Sequence, residues 1–255
     1  MRKMIALAHP SPHSLSSKSN KPLLSQRKAI RKFNIITATI VLSLYTFPEK
    51  VLAACAPDPA EGFTTTCGDS SLQTSPLGTG PGLNNVTINV LPLAQINTDL
   101  LHAISLDSGS LITLQGGAIV QNAPAAPAGP GRWGAGENTI EFNNDTILDI
   151  QEGAQVINQG AATATGNSAI YIVGNGNTII NHGIIQGTNN PAIVIRSSRS
   201  GNIIDNYGAI LTSGSGYVIN SSSPSTKFTN HSGGVITGDI FFSGFFLIYT
   251  FAQVH

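Results

Sequence analysis

The sequence predicts an all-β fold, a single-stranded parallel β-helix with coils of about 24 residues. Three observations predict it. A short phrase returns four times, as Ala154-Gln-Val-Ile-Asn158-Gln-Gly160, Asn177-Thr-Ile-Ile-Asn181-His-Gly183, Asn202-Ile-Ile-Asp-Asn206-Tyr-Gly208 and Thr226-Lys-Phe-Thr-Asn230-His-Ser-Gly233, with its asparagines 23, 25 and 24 residues apart. Short Ile/Val runs alternate with polar residues between turns rich in Gly, Asn and Ser, the pattern of half-buried strands. Beyond residue 54 no segment keeps the i, i+3, i+4 apolar spacing of a helix. One such coil cannot bury its own apolar face, but coils stacked at about 4.8 Å per rung share a core. Roughly 200 residues beyond the leader give about eight rungs at this period.

The leader is set apart by charge. Residues 1–53 hold nine Lys/Arg against one acid, a net +8, whereas residues 54–255 hold four against twelve, a net −8. Such an asymmetry marks a targeting segment joined to a different mature protein. Arg27-Lys28 and Arg31-Lys32 precede an apolar run over 33–47, and small residues follow up to Ala53 and Ala54, where cleavage is expected. The run is short for a spanning helix, which needs about 20 residues. Both an extended export signal and a misplaced start fit the long basic lead. Leu52-Ala53-Ala54-Cys55 also spells a lipoprotein-type box, but Pro48-Glu49-Lys50 separates it from the apolar run.

Residues 54–102 read as an irregular N-terminal cap leading into a first strand, Val86-Thr-Ile88-Asn-Val90. Its two cysteines, Cys55 and Cys67, are the only ones in the chain. In an exported protein two nearby cysteines pair as a disulfide, here closing a small loop and adding about 2–3 kcal/mol. Two cysteines alone do not complete a zinc site, and a redox pair has Cys-x-x-Cys spacing. Residues 103–135 read as a degenerate coil followed by a loop, because the prolines in Ala123-Pro-Ala-Ala-Pro-Ala-Gly-Pro cannot sit inside a central strand. That loop carries the only tryptophan, Trp133.

Residues 136–240 are the regular coils. One inward column is expected to be Val156, Ile179, Ile204 and Phe228, and a second Ile170, Ile193 and Val218. Asn158, Asn181, Asn206 and Asn230 form the expected amide ladder, placed on turns because Asn tolerates left-handed geometry and stacked amides hydrogen-bond rung over rung. The slot after each asparagine reads Gln159, His182, Tyr207 and His231. Residues 241–255 depart from the repeat with a run of aromatics, read as a truncated or frame-shifted end, with a hydrophobic cap as the alternative.

Candidate chemistry is sparse, and no catalytic, metal or cofactor residue is assigned. Gly68-Asp69-Ser70 matches part of an esterase nucleophile block, but no downstream Asp-x-x-His accompanies Ser70. His182 and His231 sit two rungs apart, about 10 Å, too far to share one ion. Asp145, Asp149 and Glu152 with Asn143 and Asn144 offer calcium-type oxygens, though a solvated face uses the same residues. Arg196 and Arg199 form a small basic tip suited to an anionic glycan or to solubility. The acidic balance and few aromatics exclude a nucleic-acid surface.

The leader, the early Cys55 and Cys67 pair and the Asn-x-Gly repeats ending at Gly238-Asp-Ile240 resemble the passenger part of a bacterial autotransporter of the β-helix kind. The resemblance covers about residues 27–244. It implies a right-handed helix, Sec-dependent export, display outside the outer membrane, and a C-terminal β-barrel translocator, for which this chain shows no run of amphipathic strands. On this reading the chain alone reaches the periplasm, and the full-length form the cell surface. The function expected is a non-enzymatic adhesive stalk that binds a host or cell-surface glycan or protein. A β-helix enzyme acting on polysaccharide, or an inactive remnant, are the alternatives.

Overall fold

The computed structural model describes residues 54–68, 70–125, 132–133, 136–161, 167–196, 198–214 and 216–243. The expected leader, including Ala53, lies outside them, as do Asp69, most of the proline-rich loop and the end of the chain from 244. Among the described residues there are twenty-one strands, numbered in chain order, and no helix.

The strands form three sheets. Sheet 1 holds β1 (Cys55–Ala56), β2 (Thr64–Cys67), β4 (Thr87–Val90), β7 (Leu111–Leu114), β10 (Ile147–Ile150), β13 (Thr178–Asn181), β16 (Ser200–Asn206) and β19 (Ser225–Asn230). Sheet 2 holds β3 (Leu72–Gln73), β5 (Gln95–Asn97), β8 (Ile119–Asn122), β11 (Gln155–Asn158), β14 (Ile184–Gly187), β17 (Ala209–Thr212) and β20 (Val235–Thr237). Sheet 3 holds β6 (Ile104–Ser105), β9 (Ile140–Phe142), β12 (Ile170–Ile172), β15 (Ile193–Ile195), β18 (Tyr217–Ser221) and β21 (Asp239–Phe242). From β4 onward each coil contributes one strand to each wall in turn, and neighbouring coils pair in parallel; the exception is β1, which folds back antiparallel on β2. The result is a parallel β-solenoid of about seven turns.

The interior is aliphatic because each wall turns alternate residues inward. Sheet 1 stacks Ile88, Ile112, Leu148, Ile179, Ile204 and Phe228 in register, sheet 2 stacks Ile96, Val120, Val156, Ile185 and Ile210, and sheet 3 stacks Ile104, Ile140, Ile170, Ile193 and Ile219. All of these are buried. The two ends of the stack differ. At the first, β1 covers the edge of β2 and the Cys55–Cys67 disulfide ties the two together.

Three expectations change. Val156 does not share a column with Ile179; it lies on sheet 2, in register with Val120 and Ile185, and the residue preceding Ile179 on sheet 1 is Leu148. Val218 is buried, but the residue opposite Ile193 is Ile219, one position further along the coil. Asn158 stacks on Asn122 of sheet 2, not under Asn181, whose partner in the preceding coil is Ile150.

The physical reason is a cancellation of lengths. The register steps along sheet 1 from Ile112 to Leu148 and from Leu148 to Ile179 are longer than the regular 24–25 residues because more chain separates β8 from β9 and β11 from β12. The second excess offsets the sequence distance between the walls, so a phrase on sheet 2 falls 23 residues before its copy on sheet 1. The same two long coils reduce the expected eight rungs to about seven.

The phrase itself folds identically on either wall. Asn158 Oδ1 accepts from the Gly160 amide and Asn181 Oδ1 from the Gly183 amide, both at 3.1 Å. Glycine is required two residues on because the corner is tight: a Cβ on Gly183 would sit 2.2 Å from the Ala154 carbonyl, and one on Gly208 2.1 Å from the Gly183 carbonyl. None of the four ladder asparagines takes a positive φ. They are strand-end residues, and Asn158, Asn181 and Asn206 are fully buried rather than turn residues in left-handed geometry.

Candidate functional site

Sheets 1 and 2 present an outer face in which every second residue meets solvent. Sheet 3 does not. Its outward row runs Ser105, Glu141, Tyr171, Val194, Asn220 and Phe241, and the first three are buried. The cover over Ser105 is Arg132 and Trp133, from the end of the proline-rich loop. Both lie against Gly80, where an added Cβ would come within 3.0 Å of the Arg132 Cβ, 3.3 Å of the Trp133 Nε1 and 2.9 Å of the Ser105 Oγ. Gly80 also holds a φ of +75°, so no other residue suits this place.

Beneath this cover lies a polar cluster that links residues distant in sequence. Ser105 Oγ donates to Glu141 Oε1 at 2.7 Å, and Asn138 Nδ2 donates to Glu141 Oε2 at 3.1 Å. Burial pushes the Glu141 carboxyl up from 4.5 to about 7, against those two hydrogen bonds. Nearby, His102 pairs through Nδ1 with Glu137 Oε2 at 3.3 Å, and its backbone amide donates to the same oxygen at 2.9 Å. Burial lowers the His102 pKa, and the Glu137 carboxylate opposes it only in part. His102 Nε2, Trp133 Nε1 and Asn167 Nδ2 are buried with no hydrogen-bond partner among the described residues.

Further along the wall lies Tyr171, with Arg196 just after β15 and Arg199 just before β16. Burial raises the Tyr171 phenol, while both guanidiniums pull it down. At the far end Tyr217 and Phe241 pack with ring centroids 5.0 Å apart, and both remain exposed.

A second surface feature sits at the corner between sheets 1 and 2. His182, Tyr207 and His231 stack as a column, with centroids 4.5 Å and 3.9 Å apart and planes 7° from parallel. His231 Nε2 meets Asp205 Oδ1 at 3.0 Å. Gln159 is not in this column, since it lies after β11 on sheet 2 beside Gln121; the slot before His182 belongs to Gln151. Such stacking is a product of rung spacing and needs no ligand to explain it.

The amide ladders are internal. Asn181 Nδ2 donates to Asn206 Oδ1 and Asn206 Nδ2 to Asn230 Oδ1, each at 2.7 Å, while Asn158 Nδ2 reaches Asn122 Oδ1 at 2.9 Å. A further pair, Asn177 and Asn202, stacks at 3.0 Å where sheet 3 turns into sheet 1.

The other candidates are not brought together. Ser70 is an exposed turn residue at a φ of 56°, and Asp69 beside it lies outside the described residues. Asp145 occupies one corner of a coil, Asp149 the outer face of β10 and Glu152 the next corner. Asn143 donates to Asp107 of the preceding coil, and Asn144 Nδ2 to Ser108 of that coil. Ala54 starts the described chain, its carbonyl accepting from the Gly68 amide at 2.8 Å.

The sequence drew attention to Trp133, Arg196 and Arg199 but missed His102, Ser105, Glu137, Asn138 and Glu141. A single charged residue in the middle of an apolar triplet, Ile140-Glu141-Phe142, was the available signal. It reads equally well as an outward residue of an exposed strand. Searches against protein-family models, curated proteins and solved structures return no match.

Proposed function

We propose that this chain is a passenger-type β-solenoid of the autotransporter kind, exported and displayed at the cell surface as an adhesive stalk rather than an enzyme. The observation that carries this reading is the solenoid itself: about seven coils with a continuous aliphatic core, presenting long walls from a chain of low charge. The placement of the first hairpin adds support. Its first strand starts at Cys55, two residues after the expected cleavage point at Ala53, so processing there leaves the Cys55–Cys67 bond intact. Such a bond suits an oxidising compartment. The partners this reading requires are the Sec machinery, an outer-membrane translocator and a glycan or protein on the target surface.

The enzyme reading draws on Glu137 and Glu141, two acids on one wall beside His102. Acid–base catalysis requires the carboxyl to reach its substrate, and Glu141 has no exposed surface. That burial favours the stalk.

The test is localisation. Expressed with an internal tag in a Gram-negative host, the chain should appear in the periplasm, with its N-terminus at Ala54 and both cysteines oxidised. Fused to a β-barrel translocator, it should become sensitive to protease added to intact cells. An unprocessed chain held in the cytoplasm with free thiols would overturn the proposal.

A further inference from the structure

Sheet 2 differs from the other two walls in carrying no charge on its outer face. Its outward positions run without a break from Leu72 to Val235, kept in register by parallel pairing at every step. None of them is Asp, Glu, Lys or Arg. Sheet 1 turns out Asp149, Asp205 and Lys227, and sheet 3 begins its last strand with Asp239. Acids reach the rim of sheet 2 only at corners: Asp99 after β5, Glu152 before β11 and Asp239 after β20. Residues 54–255 carry a net −8, so two copies repel, and sheet 2 is the wall on which they approach at least cost.

This wall also reads nearly the same from either end. β11 is its middle strand, with Gln155 and Ile157 outward. One rung away on one side β8 turns out Ile119 and Gln121, and on the other β14 turns out Ile184 and Gln186. The match loosens at the next rungs, where Gln95 and Asn97 on β5 answer Ala209 and Leu211 on β17. At the two ends stand Leu72 and Val235, 56% and 52% exposed. A two-fold axis parallel to β11, midway between two facing walls, reverses the rung order of the second copy. It sets Ile157 on Ile157, Gln155 on Gln155, Ile119 on Ile184 and Leu72 on Val235. Aliphatic side chains then meet aliphatic ones and amides meet amides, the self-match that an isologous pair requires.

We propose that the outer face of sheet 2 is a self-association surface, on which a second copy of this chain docks face to face and antiparallel about β11. The facing area is modest. Rungs spaced by ~4.8 Å give the wall a length of about 29 Å, and two outward columns give it a width of about 12 Å. Each copy therefore contributes about 350 Å², well under the roughly 800 Å² per partner of a standard interface. The pair is weak, with a dissociation constant on the order of tens of micromolar. Pairing needs neither export nor display, so it stands apart from the stalk reading.

Sedimentation equilibrium of the full-length chain from about 1 to 200 µM should show a monomer–dimer equilibrium. Ile157→Lys puts two like charges face to face at the axis and should weaken pairing at least about tenfold, as should Ile157→Glu. Mixing the two Ile157 variants should restore dimers, because the facing charges are then opposite. Ile147→Lys, the same change on the outer face of sheet 1, should leave pairing unchanged. Ile147 and Ile157 both point outward, so each variant should keep the parent far-UV circular dichroism. Glu152 is exposed at the rim beside the axis and faces its own copy, so Glu152→Gln or added salt should tighten the pair. A monomer throughout the concentration range would overturn the proposal. So would pairing that persists in both Ile157 variants, or failure of their mixture to pair. Pairing lost instead through Phe241→Lys would place the contact at the last rung of the stack and overturn it as well.

Discussion

Sheet 1 and sheet 3 are built from the same kind of coil yet use their outer faces in opposite ways. Strands of sheet 1 alternate, as in β10, where Ile147 is 45% exposed and Leu148 is fully buried. In sheet 3, β9 and β12 are buried at every position. The lesson is that a solenoid wall needs only its inner face to hold the core. An outer face that is also buried, and filled with Ser105, Glu141 and Tyr171, is under a different constraint.

The largest expected effects test the alternation directly. On sheet 1, Leu148→Asp should abolish folding, because an unpaired charge in the shared core costs several kcal/mol, whereas Ile147→Asp should change stability by about 0.5 kcal/mol or less. On sheet 3 both Ile170→Asp and Tyr171→Asp should be severe. Urea unfolding followed by far-UV circular dichroism measures all four. Full stability in Tyr171→Asp would dissolve the contrast between the walls.

Next in size is the pH dependence of sheet 3. Glu141 has its folded pKa raised from 4.5 to about 7, so its proton stabilises the fold fully below pH 4.5, and that stabilisation is lost as pH rises to 7. At 1.36 kcal/mol per unit this is about 3 kcal/mol. Glu141→Gln should flatten that fall in a pH series of melting curves. His102, lowered by burial, works in the other direction, costing stability as pH drops below 6.5, and it should persist in the variant. A variant with the wild-type pH profile would mean the carboxyl is not the source.

A smaller effect is expected from the internal amides. Asn206 bridges Asn181 and Asn230, so Asn206→Ala removes both amide-to-amide bonds, leaving Asn181 Nδ2 its bond to the Ala209 carbonyl and the part-buried Asn230 Oδ1 without this donor, and should cost about 1–3 kcal/mol in all. The smallest is on the corner column. Tyr207→Ala removes two stacked contacts and should cost about 1 kcal/mol, with His231 still held by Asp205.

Much of this architecture was legible in the chain. The recurring Asn-x-Gly phrase marks a strand end followed by a tight corner wherever it occurs, and the Ile/Val alternation identifies inward residues such as Ile179, Ile204 and Ile170. What the phrase does not carry is the wall on which it falls. Asn158 and Asn181 each follow an isoleucine and share the same alternation and the same bond to the glycine two residues on, so local sequence gives them one reading. They lie on different sheets because an elongated coil separates them. The outward residues were less legible still. Glu141 and Asp149 each follow an aliphatic residue in a strand, yet one is buried beneath another segment and the other faces solvent.

The sequence by itself therefore determined the local grammar: strand, amide, glycine corner, next strand, repeated until a shared aliphatic core becomes continuous. These are short-range consequences of side-chain alternation and backbone sterics. Tertiary structure alone decided the stacking partners of Val156 and Asn158 and the burial of Glu141. Each depends on the length of chain between coils and on what another segment covers, quantities that no window of neighbouring residues contains.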